Sequence, residues 1–225
     1  MVHHDAAGKD VFFLVARPPA SVIYDVGLTL SLPVALSVAS GLNALAHCID
    51  ALWAPRADPV NAALAGEAMR LLARGLPAIK ADPFGAAGRE QTLSGAFLAA
   101  TAFASAGSGL HHKICHVLGG TFNLPHAQTH AVILPHVTAL NVAAAPEAAA
   151  RIAAALESAG AVTGLQRLYK SLDAPRTLRE LGLRENHITE AVDLILPHVP
   201  PSNPRSIDAA DLERLLHAAW KENTP

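Results

Sequence analysis

The sequence predicts an all-α protein, a bundle of about seven to nine helices that follows a short extended N-terminal segment. Apolar residues recur every three or four positions along most of the chain, as at Leu212, Leu215, Leu216 and Trp220. Helix-start signals precede several of these stretches. Of the 225 residues, 51% are hydrophobic and 16% are charged, which indicates alanine-rich helices that pack closely together.

The first part of the chain differs from the rest. Two short runs of β-branched and aromatic residues, Val11–Val15 and Ser21–Tyr24, are separated by a segment that contains Arg17, Pro18 and Pro19. Such runs are typical of one or two strands or of extended linkers. We therefore predict two regions: an extended segment over residues 1–30 and a helical domain over residues 31–225.

The helical pattern begins after Pro33 and continues through the apolar stretch that ends at Trp53. Asp58 and Pro59 then mark a new helix, because aspartate caps helix N-termini and proline is favoured at the first helical position. This helix is predicted to continue through VNAALAGEAMRLLARGLPAIKA.

The remaining helices follow from the same periodicity. They are predicted over about residues 87–106, 109–119, 126–143, 147–156, 162–172, 187–199 and 208–220. Gly119 and Gly120 are expected to break the chain between the second and third of these. Pro146 opens the fourth, and Asp208 is a plausible cap for the last.

Charge and apolarity exclude two classes of partner. The net charge of −2 and the aromatic content of 4% give no basis for binding nucleic acid. The most apolar stretch, residues 28–53, is interrupted by polar residues and by Pro33, so it falls short of the roughly 18–20 apolar residues of a membrane span. We expect neither nucleic acid nor a membrane as a partner.

Two further features predict a cytoplasmic protein. Cys48 and Cys115 lie in apolar helical contexts, which favours buried reduced thiols over a disulfide. The first ten residues, MVHHDAAGKD, contain no apolar core segment of the kind that signal peptides need.

Histidines are concentrated around one stretch of the sequence. His112, His116 and His126 lie in GSGLHHKICHVLGGTFNLPH, and His47 lies in GLNALAHCID. Residues four apart share a helix face, so Asn43 pairs with His47, and His112 with His116. Two helices and the start of a third would thus form a three-walled pocket. Imidazoles in such a pocket bind divalent metals or transfer protons near neutral pH.

A structural interpretation competes with this functional one. A single histidine on an apolar helix face is usually a hydrogen-bonded core residue, and this holds for His47 taken alone. Several partly buried imidazoles are costly to place without a purpose, which favours a functional role for the group. For His111, His130 and His136 the sequence leaves open whether they join the pocket or face solvent or an adjacent packing layer.

Three stretches resemble the iron-containing, or group III, alcohol dehydrogenases: GLNALAHCIDALW, GLHHKICHVLGGTFNLPHAQTHAVILPHV and SNPRSI. Within that family, the resemblance is to maleylacetate reductases. It implies reduction of the carbon–carbon double bond of maleylacetate by NADH or NADPH, which gives 3-oxoadipate in the breakdown of aromatic compounds. It also implies two domains, an N-terminal α/β domain that binds the dinucleotide and a C-terminal helical domain that supplies the substrate and metal pocket.

The chain is predicted to correspond to the second of these domains. It contains no GxGxxG loop after a strand, and Gly107 and Gly109 lie between helical segments. Residues 1–30 would then be a remnant of, or a linker from, the nucleotide-binding domain. The domain that binds NADH or NADPH is expected to be missing from this chain.

The resemblance also implies roles for individual residues. Metal-dependent relatives use an aspartate and three histidines, which correspond here to Asn43, His47, His112 and His126. Because Asn43 replaces the acidic ligand with a neutral amide, we do not expect a firmly bound divalent metal. His112 or His116 would deliver the proton. His47 and His126 would shape the cavity and hydrogen-bond the substrate.

The substrate implied by the resemblance is a small dicarboxylate. Cationic side chains are suited to hold it, so Lys113 and Arg205, with Asn43, are the predicted substrate-binding residues. Two alternatives remain at this stage: a metal-dependent alcohol dehydrogenase acting on a small alcohol or aldehyde, and an inactive helical fragment that serves as an interaction module. Family members commonly form dimers, so a homodimer is one expectation.

Overall fold

The protein is described by a computed structural model that covers residues 21–221, and all regular structure in that range is helical. The α-helices are α1 (Val26–Thr29), α2 (Val34–Ala51), α3 (Pro59–Ala81), α4 (Ala86–Ala106), α5 (Leu110–Phe122), α6 (His126–Val142), α7 (Pro146–Ala155), α8 (Ala161–Leu172), α9 (Ile188–Ile195) and α10 (Ala209–Lys221). Short 3₁₀ turns, Glu185–His187 and Leu196–His198, flank α9. The all-α prediction is confirmed.

The described helices exceed the predicted number because of α1, a single turn in the segment predicted to be extended. The side chain of Asp25 accepts a hydrogen bond from the Gly27 amide at 2.7 Å and caps this turn. Residues 21–25, where one of the two predicted strands would lie, have no regular structure. The other predicted strand, Val11–Val15, lies outside the described residues.

Two helices begin at the aspartate caps that the sequence predicted. Asp58 accepts from the Asn61 amide at 2.8 Å, and Asp208 accepts from the Asp211 amide at 2.8 Å. The predicted end of α5 at the glycine pair was wrong, since α5 continues to Phe122. It ends at Asn123, whose φ of 56° is left-handed and incompatible with a further helical turn.

Two apolar cores lie side by side. One is formed mainly by α2, α3, α4, α7 and α8, and the other by α5, α6, α9 and α10. Helix α6 contributes to both, and it packs against α2 and α5. Cys48 lies in the first core and Cys115 in the second, both as buried free thiols, as predicted. The three helices that carry the histidines therefore meet where the two cores join.

The expectation that the apolar stretch of residues 28–53 falls short of a membrane span was wrong by length and composition, since α2 passes that test; 67% of the helix is buried inside the protein. A second segment passes the same test only if α4 and α5 are joined, although these helices are bent by 100° relative to each other. Burial of this extent is typical of the core helix of a soluble protein.

Proline within α6 creates a specific tertiary contact. Pro135 has no N–H to donate to the carbonyl of Ala131, which lies four residues earlier. Tyr169 of α8 supplies the missing donor, since its hydroxyl donates to that carbonyl at 2.7 Å. Burial raises the pKa of Tyr169 well above its ordinary value, so the hydroxyl keeps its proton. This bond connects α8 to the helix that carries His126 and His130.

We expect Tyr169→Phe to lower the free energy of unfolding by about 1–3 kcal/mol, because the Ala131 carbonyl, which receives no amide from Pro135, would also lose the Tyr169 hydroxyl. Urea denaturation followed by circular dichroism measures this change. Ser171→Ala serves as the control: that hydroxyl donates to the Leu168 carbonyl at 2.7 Å on the exposed side of α8. A loss of stability in Ser171→Ala as large as that in Tyr169→Phe would contradict the role given to the Tyr169 hydroxyl.

Candidate active site

Six imidazole rings form one cluster between α2, α5 and α6, hereafter the histidine cluster. Its members are His47, His111, His112, His116, His126 and His130. The ring centroid of His112 lies 4.9 Å from that of His47 and 4.8 Å from that of His130. The ring centroids of His126 and His130 are 4.4 Å apart. All four histidines predicted to form the pocket belong to this group.

A buried carboxylate organises one wall of the cluster. Asp50, at the end of α2, is 0% exposed and accepts a hydrogen bond from His112 Nδ1 at 2.7 Å. It also accepts from the backbone amides of Gly109 at 3.0 Å and His112 at 3.3 Å, and from Trp53 Nε1 at 3.3 Å. Asp50 therefore caps the N-terminus of α5 and orients a histidine on the first turn of that helix.

The close approach at Gly109 depends on the absence of a side chain. A Cβ at this position would lie 2.6 Å from Asp50 Oδ1, which is closer than real Cβ contacts allow. Burial alone would raise the pKa of Asp50, but the hydrogen bond and charge of His112 outweigh it, so the pKa lies below its ordinary value. Asp50 is therefore ionised at neutral pH.

Ionised Asp50 fixes the tautomer of His112. A carboxylate only accepts, so Nδ1 of His112 carries the proton and donates. Unless the ring is protonated, Nε2 is left with a free lone pair, and that atom is buried without a hydrogen-bond partner. Oδ1 of Asn43, one helix away, is also buried and unpartnered. Two buried polar atoms of α2 and α5 are thus open to a ligand.

A second pair of histidines lies behind His112. Nε2 of His111 and Nδ1 of His130 are 2.9 Å apart, so one ring donates to the other. The Sγ atom of Cys115 lies 3.7 Å from the same nitrogen of His111. Nδ1 of His111 and Nε2 of His130 are buried without partners. Nitrogens of His111, His112 and His130 lie within 4.8 Å of one another.

Burial keeps most of the cluster neutral. It lowers the pKa of His47 and His111 to about 3 and that of His116 to about 4, with the charge of His112 as the next cause. Burial, followed by the charges of His111 and His112, lowers the pKa of His130 far below its ordinary range. Burial also lowers the pKa of His126, the exposed ring at the start of α6. Near pH 7 these rings are uncharged.

An aromatic ring closes the pocket from α4. The Phe103 centroid lies 4.5 Å from His47 and 4.3 Å from His112, so the three rings contact one another. This apolar face excludes water from one side of His112 and contributes to the burial that keeps His47 neutral.

The predicted substrate-binding residues differ in their positions. Lys113 is partly buried on α5, and its charge lowers the pKa of His116. Asn43 is partly buried on α2. Arg205 instead forms an ion pair with Asp211 at 2.8 Å, near the start of α10. Within residues 21–221, none of its hydrogen bonds or ion pairs joins it to the histidine cluster.

Sequence reasoning missed part of the site. Asp50 was not considered, although it lies three residues after His47, a spacing that also places two residues on one helix face; His130, which the sequence left open, lies four residues after His126 on the same face. His111 and His130, whose position the sequence left open, are buried in the cluster; His136 is buried outside it. Phe103 comes from a separate helix and has no local sequence signal.

The donor set does not fit a firmly bound Fe²⁺ or Zn²⁺. Asn43 offers a neutral amide where the family resemblance implies a carboxylate ligand, and the nearby carboxylate of Asp50 is occupied by four N–H donors. His111 and His130 are bonded to each other. Without an anionic ligand the charge of a divalent cation would be left uncompensated, which weakens its binding at this site.

The helical fold and the histidine pocket define a class of protein. The model of the C-terminal domain of the Fe-containing alcohol dehydrogenase family matches residues 37–220, and the chain belongs to this family. It is 44% identical over 201 residues to a maleylacetate reductase of Sphingobium indicum and 41% identical over 207 residues to maleylacetate reductase 1 of Rhodococcus opacus. These alignments cover 89% and 92% of this chain, but 57% and 58% of the relatives.

Solved structures show the same relationship. An iron-containing alcohol dehydrogenase from Corynebacterium glutamicum is 59% identical, with a TM-score of 0.90 over 91% of this chain and 57% of that one. A maleylacetate reductase from Agrobacterium tumefaciens is 40% identical, with a TM-score of 0.85 over 90% and 57%. The chain therefore spans somewhat more than half the length of these relatives.

The neutral histidines predict that stability falls with acid. Their folded pKa values lie below the unfolded value of about 6.5, so the unfolded state takes up protons first as the pH drops. Each such ring should lower the free energy of unfolding by about 1.4 kcal/mol for every unit that the pH falls between about pH 6.5 and pH 4. His47→Gln should reduce this pH dependence by the contribution of one ring. Urea unfolding at several pH values measures the change. Exposed His198→Gln should leave the pH dependence unchanged.

Restoring the acidic ligand should create metal affinity. We expect Asn43→Asp to strengthen Zn²⁺ binding by about tenfold or more, since one unit charge at contact distance is worth about 1–4 kcal/mol in such settings. Titration calorimetry with Zn²⁺ measures this. Asn186→Asp, which adds the same charge at an exposed position outside the cluster, is the control. Equal gains in both variants would show that general charge, rather than the site, is responsible.

Proposed function

We propose that this chain supplies the substrate-binding helical domain of an NADH- or NADPH-dependent maleylacetate reductase, which converts maleylacetate to 3-oxoadipate in the breakdown of aromatic compounds. The observation that carries this proposal is the buried histidine cluster with the neutral amide of Asn43 on α2, where the family resemblance implies a metal-binding carboxylate. Identities of 40–44% to maleylacetate reductases over about nine-tenths of the chain support it. A substrate that brings its own carboxylates needs cations and N–H donors more than a metal.

Lys113 is the cation best placed to meet a substrate carboxylate. It lies one residue after His112 and is near enough to His116 to affect its pKa. Asn43 would add hydrogen bonds from its amide, and His126 lies at the exposed start of α6, where a ligand would enter. Arg205 is a weaker candidate in this arrangement because its guanidinium is paired with Asp211.

His112 is the proposed proton donor. Hydride addition to one alkene carbon leaves a carbanion-like neighbour that must receive a proton. The carboxylate of Asp50, 2.7 Å from Nδ1, stabilises a positive charge on this ring, so Nε2 can carry and release a proton. His116, whose pKa is lowered to about 4, is better suited to donate a hydrogen bond as a neutral ring. His47 would shape the cavity.

The reductant in this proposal is NADH or NADPH. Residues 21–221 contain no strand followed by a glycine-rich phosphate loop, so we propose that the dinucleotide is held mainly by a domain beyond these residues. A cytoplasmic location and a homodimer complete the proposal: both cysteines are buried thiols, and two of the large side chains on the described surface, Phe84 and Phe97, are apolar and exposed.

A metal-dependent alcohol dehydrogenase is the second candidate. The 59% identity to a structure described as an iron-containing alcohol dehydrogenase favours it. Metal analysis of the purified chain separates the two functions: stoichiometric iron or zinc would favour the dehydrogenase, and a metal-free protein would favour the reductase. An inactive interaction module would bind neither dicarboxylate nor cofactor.

We expect maleylacetate to bind the chain and to shift the imidazole NMR signals of His112, His116 and His126, since the ligand would lie against these rings. Lys113→Met should weaken binding by about tenfold, the typical cost of one charge-assisted hydrogen bond. Lys221→Met removes a matched charge at an exposed position on α10 and should leave binding unchanged.

Two results would contradict this proposal. One is an absence of histidine shifts at millimolar maleylacetate in a folded chain. The other is binding of a short primary alcohol that appears only when Zn²⁺ or Fe²⁺ is added.

A further inference from the structure

A cavity lies on the other side of α6, away from the histidine cluster. Its volume is about 400 Å³, and it opens between α6, α8 and the loop that follows α8. Its polar and charged lining comes from His136, Gln166, Tyr169, Lys170 and Arg176. This volume lies within the range of small-ligand pockets.

The cavity is separate from the candidate active site. At about 100° per residue, Val132 of its lining lies about 200° around α6 from His130, on the opposite face. The histidine cluster and this cavity therefore use two sides of one helix. A ligand in the cavity would not contact the substrate-binding residues proposed above.

His136 is the buried polar group at this cavity. His136 is only 8% exposed, and its side chain makes no hydrogen bond or ion pair with the described residues. Burial lowers its pKa to about 4, so the ring is neutral at pH 7. A neutral imidazole presents one N–H donor and one acceptor nitrogen, and here neither is used within the described part of the chain.

Two cationic side chains stand at the exposed edge of the same cavity. Lys170 lies on the last turn of α8, and Arg176 follows in the loop. No acidic residue is among the described residues that line the cavity. The nearest acidic residue in sequence, Asp173, is paired with Lys80 at 2.5 Å, and the charge of Arg176 also acts on its carboxylate. With Lys80, Lys170 and Arg176 around this one carboxylate, the exposed edge of the cavity carries a net positive charge, and the neutral His136 ring lies at a buried position of the lining.

From this arrangement we infer that the cavity binds a small oxyanion carrying carboxylate or phosphate groups. Lys170 and Arg176 contact its charge, and His136 donates a hydrogen bond to it from the inner wall. The apolar part of the lining, which includes Val132, Pro135 and Ala174, accommodates a short carbon skeleton. This inference does not depend on the reductase activity.

A hydrogen bond connects the lining of this cavity to α6, the helix that carries His126 and His130. Tyr169 lines the cavity and also donates to the Ala131 carbonyl that Pro135 leaves without an amide partner. Ala131 is adjacent to His130 of the histidine cluster. A ligand that fixes α8 against α6 therefore acts on the segment that positions His126 and His130.

The test is an NMR titration of the 225-residue chain with inorganic phosphate and, separately, with succinate, at constant ionic strength set by sodium chloride. We expect saturable shifts of the His136 ring signals with at least one of the two anions. Lys170→Met and Arg176→Met, both changes at exposed positions, should each weaken binding by about tenfold. His136→Gln, checked for folding by circular dichroism, should weaken it as well.

Two controls separate this site from the histidine cluster and from general charge. Lys113→Met alters the proposed substrate site, and Lys221→Met removes a distant exposed charge; neither should change the affinity for these anions at His136. Shifts limited to the cluster histidines, equal weakening by Lys113→Met or Lys221→Met, or no saturation up to tens of millimolar would overturn the inference. A failure of maleylacetate to bind would leave it standing.

Discussion

The hydrogen bonds of the Asp50 carboxylate are the interaction on which the site depends. A carboxylate with no exposure to water is stable only when donors replace its hydration, and four N–H groups from α5, from the residue before α5 and from Trp53 do so. The same bonds fix the start of α5 against the end of α2. Because His112 is one of the donors, the geometry of the helix junction and the tautomer of a central histidine are set together.

The rest of the pocket follows from this junction. Once α5 is placed, His111 meets His130 of α6, and His112 contacts His47 of α2 and Phe103 of α4. The neighbouring rings are buried, so they remain neutral near pH 7 while Asp50 carries the charge. A pocket of neutral donors with a single organised carboxylate at its rear is suited to an anionic ligand, which supplies the opposing acceptors itself.

Helix α6 lies between the histidine cluster and the cavity that contains His136. One face carries His126 and His130, and the other carries Val132 and His136. Pro135 interrupts its internal hydrogen bonding, and Tyr169 repairs the interruption from α8. The result is a helix whose position depends on a tertiary contact rather than on its own backbone alone. This makes α6 the element through which α8 can affect the histidine pocket.

The sequence by itself determined the helical class, most helix boundaries and the four histidines of the pocket, because the period of apolar residues, aspartate caps and the i, i+4 rule are local properties. The left-handed residue Asn123, which ends α5, and the turn capped by Asp25 also depend on local sequence. Their sequence signals are weaker than those of a proline or a cap before a long helix. Only the tertiary structure decided the roles of Asp50, Phe103 and Arg205. A carboxylate on α2 becomes a cap for α5, and an arginine becomes the partner of Asp211, only when residues distant in sequence are brought together, and that depends on how whole helix faces pack.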